Sequence, residues 1–305
     1  MNVIEGNNLR KSFGPVVAVD NVSILVKKGG IFGFLGPNGA GKTTTIRMLT
    51  GVLTPDAGSV RICGTDIQKN PLGAKMRMGV IPENGTVYSD LTAEQNILWT
   101  AKFYGMDRIS RKQRAGEILS RLGLTERRND LVRTFSKGMR QRISIACAIV
   151  HSPPVLLLDE PTTGLDVYSR RLVIDTIRHM NGQGSTILLT THNIEEANTL
   201  CTDVSIINRG AIVATGSPEK LKKTFDTSKY VEISFEQPVR REFFTGEGID
   251  RVESWGDKWR IYMDDPDRAV KYLAALAERE HVKIVSIATS NPVLEEAFVQ
   301  LTGGA

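Results

Sequence analysis

The segment that most limits what this chain can fold into is Gly36-Pro37-Asn38-Gly39-Ala40-Gly41-Lys42-Thr43-Thr44, which directly follows the apolar run Ile31-Phe32-Gly33-Phe34-Leu35. It fits G-x-x-x-x-G-K-[ST] at every fixed position. Glycines there let the backbone curl so that several N–H groups point into one concavity. The following residues have helical spacing, with apolar Ile46, Met48, Leu49 and Val52. A helix starting there adds the positive end of its dipole. Strand, glycine loop and helix is the order a phosphate-binding loop needs. Gly36, Asn38, Gly39, Gly41, Lys42, Thr43 and Thr44 are therefore the candidate cradle. Lys42 is expected to contact the β- and γ-phosphates and the Thr43 hydroxyl to ligate Mg²⁺. The loop indicates a nucleotide but not the chemistry, since kinases, GTPases and ATPases share it.

A second segment narrows the chemistry. Val155-Leu156-Leu157-Leu158 reads as a buried parallel strand and ends in Asp159-Glu160. Ligands of such sheets sit outside the carboxyl ends of the strands. Asp159 at that edge can hold Mg²⁺ through water. Glu160 is placed to face a water attacking the γ-phosphate, within reach as a general base.

The rest of the chain supplies the frame. Residues 1–10 and 16–27 read as strands joined at Gly14-Pro15, 91–150 as mostly helical, 167–181 as a helix and 186–190 as another buried strand. At 305 residues the length suits two domains. The character changes near Pro218. Beyond it, 229–236 alternate like a strand, and 251–263 read as a hairpin turning at Gly256-Asp257. In that register Val252, Trp259, Ile261 and Met263 share one face, Glu253 pairs with Arg260 across the other, and Trp255 is exposed. A helix over 267–279, a strand over 282–288 and a last helix over 292–301 complete a small α+β domain. The expected division is 1–220, with a helical subdomain at about 85–150, and 221–305.

Composition excludes other classes. Apolar residues at 41% and charged residues at 24% are those of an ordinary globular chain, neither disordered nor fibrous. No window approaches the ~20 apolar residues of a membrane span. The start, MNVIEGNNLRKSFG, lacks the layout of a secretory signal. Cys63, Cys147 and Cys201 are widely spaced and read as reduced, packed thiols rather than a metal site. The basic excess sits in residues 1–219 (26 Lys and Arg against 19 Asp and Glu), whereas 220–305 are slightly acidic (13 against 15).

At this point the chain resembles the ATP-binding cassette (ABC) ATPases. Phe135-Ser136-Lys137-Gly138-Met139-Arg140-Gln141-Arg142, about 20 residues before the carboxylate pair, is similar to that family's signature segment. Ser136 and Gly138 match it; Lys137 and Met139 depart from its common form. The resemblance implies that Ser136 and the adjoining helix start bind the γ-phosphate of ATP held by a partner subunit. It also implies that Asp166, in Thr163-Gly164-Leu165-Asp166, communicates across the dimer. His192 matches the switch histidine that contacts the γ-phosphate, and Phe13 the aromatic that stacks on adenine. Glu83 occupies the position of the usual Gln, where it can still ligate Mg²⁺. It also brings a like charge towards Asp159 and Glu160, which could raise a pKa.

The resemblance covers residues 1 to about 220, and the ending Pro292–Gly303 is similar to the tails of ATPase subunits of bacterial exporters. It implies the fold of a P-loop ABC cassette, with a parallel-rich sheet and a helical subdomain, plus the small C-terminal α+β domain. It further implies ATP and Mg²⁺ as ligands, a head-to-tail homodimer, a separately encoded integral-membrane permease and a cytoplasmic position at the inner face of the membrane. The alternative is a regulatory ABC ATPase acting on nucleic acid or ribosomes. One cassette per chain and a short interval between the nucleotide motifs speak against it, so no nucleic-acid partner is expected.

Overall fold

The computed structural model describes residues 1–83, 85, 87–224, 230–244, 249–263, 265–290, 298 and 301. The chain divides into two compact units, Met1–Pro218 and Glu219–Gly304.

In the first unit, β1 (Asn2–Phe13) and β2 (Val16–Lys27) form an antiparallel hairpin around Gly14. β3 (Ile31–Leu35) is buried at every position and leads into α1 (Lys42–Leu49). Next come β4 (Ala57–Ile62), β5 (Thr65–Asp66), α2 (Pro71–Lys75) and β6 (Met78–Ile81). Three helices follow: α3 (Ala93–Phe103), α4 (Arg108–Arg121) and α5 (Lys137–Ile149). β7 (Val155–Asp159), α6 (Val167–Gly182), β8 (Thr186–Thr191), α7 (Ile194–Leu200), β9 (Asp203–Asn208) and β10 (Ala211–Gly216) complete it. α8 (Pro218–Thr224) crosses the division between the units.

Two sheets result. One is antiparallel, in the order β2-β1-β4-β5; the other runs β10-β9-β3-β8-β7-β6 and is parallel except for the β9–β10 pair. β3, β7 and β8 lie side by side inside the second sheet, which is why their sequences are continuous apolar runs and not alternating ones. The carboxyl ends of β3, β7 and β8 point the same way. They deliver the glycine loop, the Asp159-Glu160 pair and His192 to one edge.

Local signals set the helix ends. Thr92 and Gln95 form a capping box at α3, and Asp107 caps α4 through the N–H groups of Ile109 and Ser110. α1 ends earlier than its apolar spacing suggested. The helical spacing includes Val52, but it lies beyond α1 and is 72% exposed, because the chain reverses at Gly51 (φ +66°) and Val52 N–H bonds back to Arg47 O.

Glycine is also needed where β6 passes α5. A Cβ on Gly79 would lie 2.1 Å from the Ala148 carbonyl oxygen. Close by, the His151 ring stacks on Tyr104, with ring centroids 3.4 Å apart, and its Nε2 lies 3.2 Å from Met78 O. Among the described residues no helix is long and apolar enough to cross a membrane, and Cys63, Cys147 and Cys201 are free thiols. Burial pushes the Cys147 thiol up to about 11.

The second unit contains β11 (Tyr230–Phe235), β12 (Arg251–Trp255), β13 (Lys258–Tyr262), α9 (Pro266–Arg279) and β14 (Ile284–Ser290). Its antiparallel sheet has the order β12-β13-β11-β14. The hairpin register agrees with the sequence reading: Glu253 lies opposite Arg260 and Val252 opposite Ile261. Val252, Trp259, Ile261 and Met263 join one core with Leu273 and Leu276 of α9. The expected Glu253–Arg260 ion pair is replaced by others. Arg260 Nε lies 3.5 Å from Glu232 on β11, and Glu253 accepts the Tyr262 hydroxyl at 2.9 Å. β13 has a neighbour on each side, and Glu232 is the residue opposite Arg260 on the other one. Trp255 is exposed, with the Arg260 guanidinium 3.9 Å from its ring. The helix expected over 292–301 lies outside the described residues except at 298 and 301.

His151 gives the first unit a testable acid sensitivity. Burial pushes its imidazole down to about 4, against the weaker opposing pull of the Met78 carbonyl. The unfolded chain takes up this proton near the ordinary histidine value of about 6.5. Stability is therefore complete above that value and lost progressively as the pH falls towards 4. Compared with His151→Phe, which keeps a ring but cannot titrate, the wild type should lose an extra ~1–2 kcal/mol between pH 7 and pH 5 in urea titrations. Parallel pH profiles for the two proteins would contradict this.

Candidate active site

The glycine loop folds onto its own helix. Lys42 Nζ donates to the Gly36 carbonyl at 2.6 Å and to the Pro37 carbonyl at 3.1 Å, and the residue is only 6% exposed. Gly41 precedes α1 without a side-chain cap and no acid lies in the first turn, so no side chain occupies the positive end of the helix. Gly41 has φ +107°, and a Cβ there would sit 2.5 Å from the Ala18 carbonyl oxygen. A Cβ on Gly36 would sit 2.5 Å from the Ile207 carbonyl oxygen. Both positions exclude any side chain.

Above the loop is a cavity of ≈ 330 Å³ lined by Ala18, Pro37, Asn38, Gly39, Gly41, Lys42, Thr43, Thr44, Glu83, Glu160, Thr163 and His192. Residues from five separate parts of the sequence thus share one wall. A neighbouring cavity of ≈ 400 Å³ has Thr43, Glu83 and Asp159 among its lining residues. These three offer hard oxygens on one cavity, the donor chemistry that suits Mg²⁺ shared with phosphate. Among the described residues there is no cluster of three His, Cys, Asp or Glu side chains that would cage a metal without such a ligand.

Glu160 is the most constrained side chain here. Its backbone has φ +49°, a left-handed conformation uncommon outside glycine. The Thr190 hydroxyl accepts from Glu160 N–H at 2.9 Å and donates to Asp159 Oδ1 at 2.6 Å, so one threonine orients both acids. Glu160 Oε2 accepts from Thr163 Oγ1 at 2.7 Å and from His192 Nδ1 at 2.9 Å. Oε1 is buried without a hydrogen bond, 3.3 Å from Lys42 Nζ. Burial alone would raise this carboxyl. The Thr163 and His192 hydrogen bonds and the Lys42 charge outweigh it and hold the group below the usual carboxylate range. For Glu160 the expected upward push from like charges is therefore overturned: its close neighbours are donors and a cation.

Ser136, Gly138 and Asp166 are not among the residues lining the Lys42 cavity and instead form a separate cluster. Ser136 caps α5, accepting from Met139 N–H at 3.2 Å. Asp166 caps α6, accepting from both the N–H and the hydroxyl of Ser169 at 2.8 Å. Gly138 lets the two helix starts touch, since a Cβ there would lie 2.5 Å from Ser169 Oγ. Phe13 is exposed at the end of β1 and does not line the cavity, whose β2 wall is Ala18. The sequence reading places Thr163 only beside Asp166 and gives Thr190 no role. Their one signal is the density of threonines in Pro161-Thr162-Thr163-Gly164 and Thr190-Thr191-His192.

A glycine loop and an acidic strand end on a mostly parallel sheet define a P-loop nucleotide-binding protein. Residues 19–163 match the family described as ABC transporter. The chain is 34% identical to the linearmycin resistance ATP-binding protein LnrL of Bacillus subtilis (strain 168), over 99% of this chain and 98% of that one. It is 35% identical to the Nod factor export ATP-binding protein I of Ralstonia nicotianae, over 99% and 94%. It is 34% identical to the daunorubicin/doxorubicin resistance ATP-binding protein DrrA of Streptomyces peucetius, over 98% and 92%. Among solved structures, an ATP-binding subunit of an ABC transporter is similar with a TM-score of 0.69 and 29% identity, over 73% of this chain and 93% of that one. A dimeric ATP-binding cassette bound to ADP and phosphate shares the fold with a TM-score of 0.65 at 24% identity, over 70% and 98%. The chain belongs to the ATP-binding proteins of ABC transporters, and is an ATPase.

Lys42 is the buried cation of the cavity. Lys42→Ala removes a charge-assisted contact worth about 1.5–3 kcal/mol. ATP affinity should therefore fall about 10–100-fold in equilibrium binding of a fluorescent ATP analogue. Unchanged affinity would remove the loop from the nucleotide site.

Proposed function

We propose that this protein is the motor subunit of an exporter: two copies bind ATP head to tail and drive a separately encoded integral-membrane permease from the inner face of the membrane. The observation that supports ATP hydrolysis within that reading is the buried Glu160, held beside Lys42 by Thr163 and His192.

The substrate's phosphates lie along the loop N–H groups and Lys42, with Asn38, Gly39, Gly41, Thr43 and Thr44 around them. Thr43, Asp159 and Glu83 would hold a Mg²⁺, which would supply neutralising charge to the phosphates. Glu160 accepts a proton from water as the water oxygen bonds to the γ-phosphorus. The bond from that phosphorus to the β,γ-bridging oxygen breaks, and the electron pair leaves with ADP. His192 orients the water and contacts the γ-phosphate. Ser136 and Gly138 present the start of α5 to the γ-phosphate bound by the opposite copy, and Asp166 lies beside them. Phe13, exposed at the strand end, stacks on adenine.

ATP thus bridges two cationic surfaces, and its hydrolysis releases them. Export is supported by the relatives, which are ATP-binding proteins of linearmycin resistance, of daunorubicin and doxorubicin resistance, and of Nod factor export.

Glu160→Gln keeps the shape and removes the base. It should lower phosphate release about 10²-fold or more while ATP binding is retained. An ATP-dependent dimer should then accumulate in sedimentation velocity. Turnover at the wild-type rate would show that Glu160 is not the base.

A further inference from the structure

Glu196 is a carboxylate that the site described above does not use. It is 4% exposed, in the first turn of α7. An acid at a helix start is favoured by the dipole, but that does not account for where its oxygens go. Thr162 Oγ1 donates to Oε1 at 2.8 Å and lies 3.0 Å from Oε2; Thr191 Oγ1 donates to Oε2 at 2.9 Å. Thr162 belongs to the loop after β7 and Thr191 to the end of β8. Each immediately precedes one of the two residues that hold Glu160 Oε2, namely Thr163 at 2.7 Å and His192 at 2.9 Å. One carboxylate therefore ties together the two segments from which another carboxylate's partners hang. The tie is also anchored from behind. Asn193 N–H donates to Thr191 Oγ1 and Glu196 N–H to Asn193 Oδ1, both at 2.9 Å.

We propose that Glu196 is a positioning residue for hydrolysis. It sets the Thr162-Thr163 and Thr191-His192 segments at the separation that lets both second residues grip Glu160 at once. The inference rests on Glu160 being the base. Its physical content is that an acid outside the cavity lining acts on turnover far more than on binding. A displacement on the order of 1 Å in a reacting group can cost about 100-fold in rate, whereas the phosphate cradle is built from the glycine loop, which Glu196 does not touch.

The test measures steady-state ATPase and binding of a non-hydrolysable ATP analogue on the full-length chain. Glu196→Ala should lower kcat about 10–100-fold, with a much smaller change in KM for ATP and in analogue affinity. Glu196→Gln, which keeps the shape and one acceptor oxygen, should restore part of kcat. Adding Thr162→Val and Thr191→Val to Glu196→Ala should cost nothing more, because all three act through one tie. If Glu196→Ala does not fold, the Thr162→Val/Thr191→Val double variant must show the same split between kcat and KM. Wild-type kcat in a folded variant overturns the inference. So does a fall in kcat accompanied by an equal fall in analogue affinity, which marks a merely structural role. Glu160→Gln separates the two readings. If it turns over normally, the assignment of the base fails. If it is inactive while the Glu196 and threonine variants are normal, only the positioning role fails.

Discussion

The site depends on keeping a carboxylate ionised after it has been taken out of water. Glu160 faces the desolvation penalty that would ordinarily protonate a buried acid. Two hydrogen bonds and the Lys42 ammonium reverse that outcome. Each contributor comes from a different stretch of chain, so the charge state of one side chain reports whether the sheet, the glycine loop and the switch segment are correctly assembled. The parallel sheet makes this possible, because adjacent strands with all-apolar interiors deliver their polar ends to the same edge.

Much of this was legible in the residues, for a physical reason. Backbone demands leave sharp marks. Only glycine tolerates a carbonyl 2.5 Å from where Cβ would be, and so Gly36 and Gly41 are written into the loop. Strands buried on both faces must be apolar throughout, and so Ile31–Leu35 and Val155–Leu158 stand out. The hairpin at Gly256 was legible down to its register because turn chemistry fixes it.

The rest was hidden because it depends on partners far away in sequence. Nothing local says that Thr190 bridges Asp159 and the Glu160 backbone across 30 residues or so. Glu253 does lie opposite Arg260, as the hairpin pattern predicts, but Arg260 pairs with Glu232, since a central strand has two neighbours and a hairpin pattern describes one. Val52 failed for a local reason, because helical spacing says nothing about where a glycine turns the chain back. Asp166 and Ser136 are helix caps in the structure, a local role that their sequence segments share with any helix start.

The folded-back lysine has a thermodynamic consequence. Lys42 already satisfies two carbonyls of its own loop and lies against Glu160. In the proposed role a phosphate does not meet a bare ammonium; it competes with the Gly36 and Pro37 carbonyls for the same N–H donors. A loop arranged in this way holds its geometry between turnovers and discriminates against weak anions. Chloride or acetate must displace the same carbonyls with far less charge to offer, whereas a polyphosphate replaces them with several oxygens together.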